Sequence, residues 1–263
     1  MNWIPKNQKM QKKVLEQFFD RQRRQLKSVA VLIDPDEVDE HDLVQVLDEG
    51  IENGVDYFFV GGSLVTSGEV ATIVEFVKSY THIPCVLFPG NAMQICSSAD
   101  AILFLSLISG RNPELLIGQH VVAAPVLKRS RLEVIPTGYM LIHSGKPTSV
   151  SYMSNTQPIP NDKPSLAVST AIAGEMLGLQ CIYLDAGSGA MQPVPSKMIK
   201  QVKKNIEGPL IVGGGLNSAY KVKNALDAGA DIVVIGNGLQ KNPGWLAEVS
   251  EVIQFYNEEL NVN

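Results

Sequence analysis

The chain has 263 residues, 45% hydrophobic and 19% charged, an ordinary globular composition with ample material for a large core. Its net charge of −5 argues against a polyanion such as nucleic acid as the main partner, and no apolar run reaches the ~18 residues of a membrane-spanning helix. Three cysteines, Cys85, Cys96 and Cys181, are odd in number and lack CxxC spacing, so reduced thiols in a cytoplasmic protein are expected.

Residues 1–27 carry eight Lys or Arg against Glu16 and Asp20, a net of +6, so the remainder holds −11. Met10, Val14 and Phe18 recur at i, i+4 and i+8, which predicts a basic amphipathic helix. Such a helix either closes the bottom of the fold or makes peripheral contact with anionic membrane. The next apolar run, about 29–34, ends in "LIDPD", where Asp34-Pro35-Asp36 turns the chain sharply. A second run, about 56–61, ends in Gly61-Gly62-Ser63, and "EVATIVEFVKSY" (69–80) follows with helical period. Short runs at about 84–88 and 101–106 end in Pro89-Gly90-Asn91 and Ser106. Residues 113–130 read as a helix, weakened by Pro125 inside it. The run at about 135–143 ends at His143, and "SGKPTSVSYMSNTQPIPNDK" (144–163) is long for a connection, predicting a mobile or partly disordered loop that orders as a lid. The remaining runs, about 181–185, 209–213 and 231–236, end in Asp185, Gly213-Gly214-Gly215 and Gly236-Asn237. Helices at 218–229 and 243–256 complete the pattern, the last with Asn242 as N-cap and Pro243 at its first position.

A small residue, a short spacer, Asp and four or five apolar residues recur in "GVDYFFVGG" (54–62), "SADAILFLS" (98–106) and "GADIVVIGN" (229–237). Each run is too short for a helix and too continuous for a half-exposed strand, as expected of parallel strands buried on both faces. Eight such strands alternating with helices predict a (β/α)8 TIM barrel; a doubly wound open sheet is the rival. No linker or composition break divides residues 1–263, so one barrel domain is expected, with 1–27 as an extra N-terminal helix.

Function in that barrel gathers at the C-terminal strand ends. Glycines ending strands seven and eight let backbone N–H groups approach a phosphate, although they could merely turn tight corners. Asp34 on a rigid strand end suits a hard cation such as Mg²⁺, with Ser63 beside it; Asp36 and Asp39 read as helix caps. None of the strand ends carries a lysine, which argues against Schiff-base chemistry.

Together, "YLDAGSGA" at 183, "LIVGGGL" at 210, "IVVIGN" at 232, "LIDPD" at 32 and "VGGS" at 60 resemble the geranylgeranylglyceryl phosphate synthase family of phosphoglycerol prenyltransferases. The resemblance runs from about residue 28 to the C-terminus. It implies a (β/α)8 enzyme of ether-lipid synthesis that joins a long prenyl group from its diphosphate to sn-glycerol 1-phosphate. By the same resemblance, Gly214, Gly215, Gly236 and Asn237 hold the phosphate. Tyr183, Leu184, Asp185, Ala186, Gly187, Ser188 and Gly189 bind the glycerol part, and Asp34 and Ser63 carry Mg²⁺ against the diphosphate. A homo-oligomer, a hexamer in the larger branch, is also implied.

Asp185 stands where the family carries glutamate, one methylene longer. It is the candidate base for the acceptor hydroxyl; a second metal ligand or a hydrogen bonder to glycerol are its other readings. A phosphosugar isomerase using Asp34 and Asp185 as an acid/base pair is the alternative function, with the same phosphate site. An apolar channel separates the two, and Phe88, Met93, Phe104, Leu105, Leu107, Ile108 and Tyr139 are its candidate lining.

Overall fold

The computed structural model describes residues 13–66, 69–236 and 244–259. Eight parallel strands among them close into a barrel in sequence order. They are β1 (Ser28–Ile33), β2 (Tyr57–Val60), β3 (Cys85–Leu87), β4 (Ala101–Leu107), β5 (Glu133–Leu141), β6 (Cys181–Asp185), β7 (Leu210–Gly213) and β8 (Ile232–Ile235). Closure is made by β1 against β8, with Ser28 opposite Ile232.

Both faces of the strands are buried, which is why the runs read as continuous rather than alternating. Outward residues such as Val31, Phe58 and Val212 pack under the surrounding helices. Inward residues such as Ala30, Phe59, Leu103, Ile135 and Ile211 fill the interior. The helices are α1 (Lys13–Arg23), α2 (Glu40–Glu52), α3 (Val70–Tyr80), α4 (Gln119–Arg129), α5 (Ser149–Ser154), α6 (Pro164–Met176), α7 (Ser196–Lys203), α8 (Ala219–Asp227) and α9 (Trp245–Glu259).

The recurrent Asp before a strand has a structural role. Asp56, Asp100 and Asp231 each accept from a backbone N–H at the start of the preceding strand, at Val29, Cys85 and Leu210, over 2.8–2.9 Å. Each also pairs with a helix cation: Arg21 (2.9 Å), Lys78 (2.8 Å) and Lys203 (2.6 Å). One carboxylate thus satisfies a strand terminus and anchors a helix at the N-terminal end of the barrel.

The amphipathic helix α1 plugs that end. Val14 and Phe18 are each 1% exposed, and the Phe18 ring stands edge-on to Tyr57 with centroids 4.9 Å apart. The buried Glu133 carboxylate accepts from the N–H groups of Val14 (2.9 Å) and Leu15 (3.1 Å), a negative charge on the positive end of the helix. The apolar stripe that could have entered a membrane is therefore spent inside the barrel, and the closing reading is the one these contacts support; Met10 lies outside the described residues.

Two connections depart from expectation. The helix after β4 opens with a wide π turn at Glu114–Gly118 and keeps Pro125 within α4. The carbonyl that Pro125 leaves unpaired belongs to Val121, 65% exposed, where solvent can take it. Residues 144–163 are not a bare loop: they contain α5, and Ile159 bridges Ile142 in parallel. Ser151 Oγ accepts from the Thr148 N–H at 3.0 Å, which supports the start of α5. The expected caps Asn242 and Pro243 of α9 lie outside the described residues.

Candidate active site

The C-terminal strand ends enclose two adjoining cavities. A cup of about 300 Å³ gathers Asp34, Ser63, Asp185, Ser188 and the glycines Gly187, Gly189, Gly214, Gly215 and Gly236 on a wall that also includes Leu32, Tyr183, Leu216 and Val234. An apolar groove of about 360 Å³ runs from it beneath α4 and α5, lined by Phe88, Ile102, Phe104, Leu105, Leu107, Leu115, Ala123, Tyr139 and Val150. Gly62, Ser63, Phe88, Tyr139 and Val150 face both spaces. Of the expected channel residues, Met93 is 92% exposed and Ile108 packs in the outer core, so neither lines the groove.

The glycines divide into two kinds. A Cβ on Gly213 would stand 2.4 Å from the Tyr183 hydroxyl, and one on Gly214 would stand 2.5 Å from Asp185 Oδ1. Gly214, Gly215, Gly187 and Gly189 also have positive φ, between 66° and 88°. Packing and backbone alone account for most of these. Gly236 differs: its φ is ordinary, and among the described residues a Cβ there would meet nothing closer than Leu32 at 3.7 Å. Among the described residues no contact demands a bare backbone at Gly236, which leaves room for a ligand. Asn237 lies outside the described residues.

Asp34 follows β1, and its Oδ1 accepts from the Asp36 N–H at 3.1 Å. Burial first, then the neighbouring Glu37 and Asp36 charges, push its carboxyl up to about 6, against the Asp36 hydrogen bond. A carboxylate destabilised by burial and flanked by like charge gains most from a cation, so the donor set fits a Mg²⁺ that completes its shell with water and phosphate oxygens. Asp36 is not a helix cap; it accepts from the N–H and hydroxyl of Thr66 at 2.7 and 2.8 Å, tying the β1 loop to the β2 loop. Asp39 is the expected cap, accepting from the Asp42 N–H at 2.8 Å. It also forms an exposed acidic group with His41 and Asp42, but none of the three lines either cavity.

Asp185 ends β6 and is 7% exposed. Its Oδ1 accepts from the Gly187 N–H at 2.7 Å and its Oδ2 from the Tyr139 hydroxyl at 2.5 Å. Burial raises its carboxyl above the usual range, and these two hydrogen bonds oppose the rise. Leu184 and Ala186, expected among the glycerol contacts, present no side chain to the cup. Strand alternation turns both side chains into the outer core, and the Ala186 N–H donates to Gly213 O. The strand-end residues His143 and Ser106 belong to neither cavity: His143 Nδ1 accepts from Gly145 N–H at 3.3 Å, and the Ser106 hydroxyl donates to Leu116 O at 2.9 Å. Sequence reasoning valued Tyr139 only as apolar lining and missed its hydroxyl. The register Tyr139 to Tyr183, Leu141 to Asp185 puts that hydroxyl on the inner face beside the carboxylate.

Fold and site together define a (β/α)8 barrel whose C-terminal strand ends hold a cup opening into an apolar groove. The profile of the PcrB family matches residues 21–254, and the chain belongs to that family. It is 52% identical over 234 residues to the geranylgeranylglyceryl phosphate synthase of Spirosoma linguale, covering 89% of this chain and 94% of that one. It is 49% identical over 244 residues to the synthase of the same name from Chitinophaga pinensis, covering 93% and 97%. The crystal structure of (S)-3-O-geranylgeranylglyceryl phosphate synthase from Thermoplasma acidophilum in complex with sn-glycerol-1-phosphate superposes with a TM-score of 0.86 at 30% identity, over 92% of this chain and 98% of that one.

Proposed function

We propose that this enzyme transfers a long prenyl group from its diphosphate to a hydroxyl of sn-glycerol 1-phosphate, forming an ether-lipid precursor. The observation that carries the reading is the junction of cup and groove at Ser63, Phe88 and Tyr139. A phosphosugar isomerase needs the cup alone; a hydrocarbon substrate needs the groove as well.

In this reading the acceptor phosphate lies against Gly214, Gly215 and Gly236, and the glycerol lies along Tyr183, Gly187, Ser188 and Gly189. Asp34 and Ser63 would hold Mg²⁺, which when bound supplies charge neutralisation for the departing diphosphate. Phe88, Phe104 and Leu107 exclude water from the prenyl chain and so protect an allylic cation from hydrolysis. The acceptor oxygen forms the new C–O bond, the C–O bond to diphosphate breaks, and the hydroxyl proton leaves towards Asp185, worth roughly 10²–10⁴-fold in rate.

The same reading includes a cytoplasmic homo-oligomer. The three cysteines are buried and unpaired, and no helix among the described residues is long and apolar enough to cross a membrane. α4 is apolar on two sides: Ala123 faces the groove while Val121, Val122 and Val126 are exposed, as are Leu166, Met176 and Leu177 on and just after α6. Residues 115–127 contain no charge. A helix apolar on two sides belongs between two surfaces, and a second copy of the chain supplies the missing one. Mass spectrometry of products from mixed prenyl diphosphates and each glycerol phosphate enantiomer tests the reaction. Prenylated sn-glycerol 1-phosphate is expected, and its absence with every donor would overturn the reading.

A further inference from the structure

Asp185 has little freedom. Oδ1 is held by the Gly187 N–H, Oδ2 by the Tyr139 hydroxyl, and Gly214 closes against Oδ1 so tightly that even a methyl group would stand 2.5 Å away. The carboxylate is also one carbon–carbon bond, about 1.5 Å, shorter than a glutamate would be. Asp185 borders only the cup. Tyr139 borders both cavities, where the acceptor hydroxyl and the prenyl carbon must meet. Its ring is fixed edge-on between Phe88 (centroids 6.0 Å) and Tyr183 (5.4 Å), so the hydroxyl is aimed rather than free to swing.

We propose that Tyr139 is a second catalytic residue, which takes the acceptor's proton on its phenol oxygen while handing its own proton to Asp185 Oδ2. The inference rests on the prenyl-transfer reading. The electron pair of the breaking C–O bond departs with diphosphate, and the acceptor oxygen supplies the pair for the new ether bond. One proton moves from acceptor to Tyr139 and one from Tyr139 to Asp185, so the step ends with neutral tyrosine and neutral aspartic acid. Both end states suit the site. Burial, reinforced by the Asp185 charge, keeps the Tyr139 phenol protonated well above its usual range, and the relay never requires a free phenolate. Burial likewise favours the protonated form of Asp185.

The test uses Tyr139→Phe and the double variant Tyr139→Phe/Asp185→Glu in the full-length enzyme with Mg²⁺, prenyl diphosphate and sn-glycerol 1-phosphate. Tyr139→Phe is expected to lower kcat by roughly 10²–10⁴-fold while KM for glycerol phosphate changes only a few-fold. Adding glutamate at position 185 should restore at least about tenfold, because the longer carboxylate reaches the acceptor without the phenol. A tyrosine that merely props the aspartate would give no such rescue. Near-parental kcat in Tyr139→Phe, or a double variant no faster than Tyr139→Phe, overturns the relay. If Tyr139→Phe does not fold, a proton inventory of the parental enzyme decides: a bowed dependence of kcat on deuterium fraction supports two moving protons, and a straight line overturns it. An inactive parental enzyme would sink the prenyl-transfer reading and the relay together; an active parent with an unaffected Tyr139→Phe sinks the relay alone.

Discussion

Asp34 combines two opposed demands at one carboxyl. Its folded value of about 6 exceeds the ordinary 3.8, so the fold prefers the neutral form. The stability it contributes is complete below the unfolded value and is lost as pH rises through about 6. A cation requires the opposite state. Mg²⁺ protection against thermal unfolding should therefore be strong at pH 8 and vanish as pH falls through about 6, while Asp34→Asn should lack it at every pH. Protection that persists unchanged well below that pH would place the ion elsewhere. Glycines offer a second comparison at this scale. Gly214→Ala strains a φ of +78° and drives a methyl group into Asp185, so both melting temperature and activity should fall, with about 1–2 kcal/mol lost to the backbone alone. Gly236→Ala meets no close atom among the described residues and should stay within about 0.5 kcal/mol of the parent in stability, yet raise KM for glycerol phosphate. Equal affinity in Gly236→Ala would mean that the space beside it is not the phosphate site.

Among the elements, α1 shows how a pattern can be legible while its partner is not. The spacing of Val14 and Phe18 announces an amphipathic helix, but barrel floor and membrane surface make the same demand on a sequence. Only the Tyr57 ring and the Glu133 carboxylate, 39 and more than 100 residues away, distinguish them. Phe18→Ala should cost about 3–5 kcal/mol, read by denaturant unfolding, because the floor cannot collapse around the missing ring. A loss below about 1 kcal/mol would mean that α1 is loosely docked. Residues 144–163 teach a related lesson. Their Ser, Pro and Asn content reads as loop, yet Thr148 and Ser151 can exchange a capping bond, and α5 brings Val150 and Met153 over the groove. The segment's composition reports only its weak helix propensity; its docking against the groove depends on tertiary contacts.

At the scale of the whole molecule, the outward faces of α4 and α6 remain uncovered in one chain. Val121→Asp combined with Val126→Asp touches neither cavity, so it should reduce the particle mass seen by light scattering while leaving far-UV circular dichroism unchanged. An unchanged mass would remove α4 from any subunit interface. The barrel itself was readable from the chain, because a strand buried on both faces must be continuously apolar and because each strand end must turn through glycine or a short polar residue. Asp34, Ser63, Asp185 and the strand-seven and strand-eight glycines were readable for the same reason: they sit at those ends, and their positions follow from counting strands. Register and depth were not. Whether Tyr139 meets Asp185, whether Leu184 and Ala186 turn away from the cup, and whether Phe88 after β3 merges with apolar residues of β4 and α4 into one groove depend on how separate strands are staggered around the barrel. Sequence determines each strand's own periodicity, a local property of the backbone. The stagger between strands is set by closing the ring and packing its interior, so tertiary structure alone decided which hydroxyl faces the carboxylate.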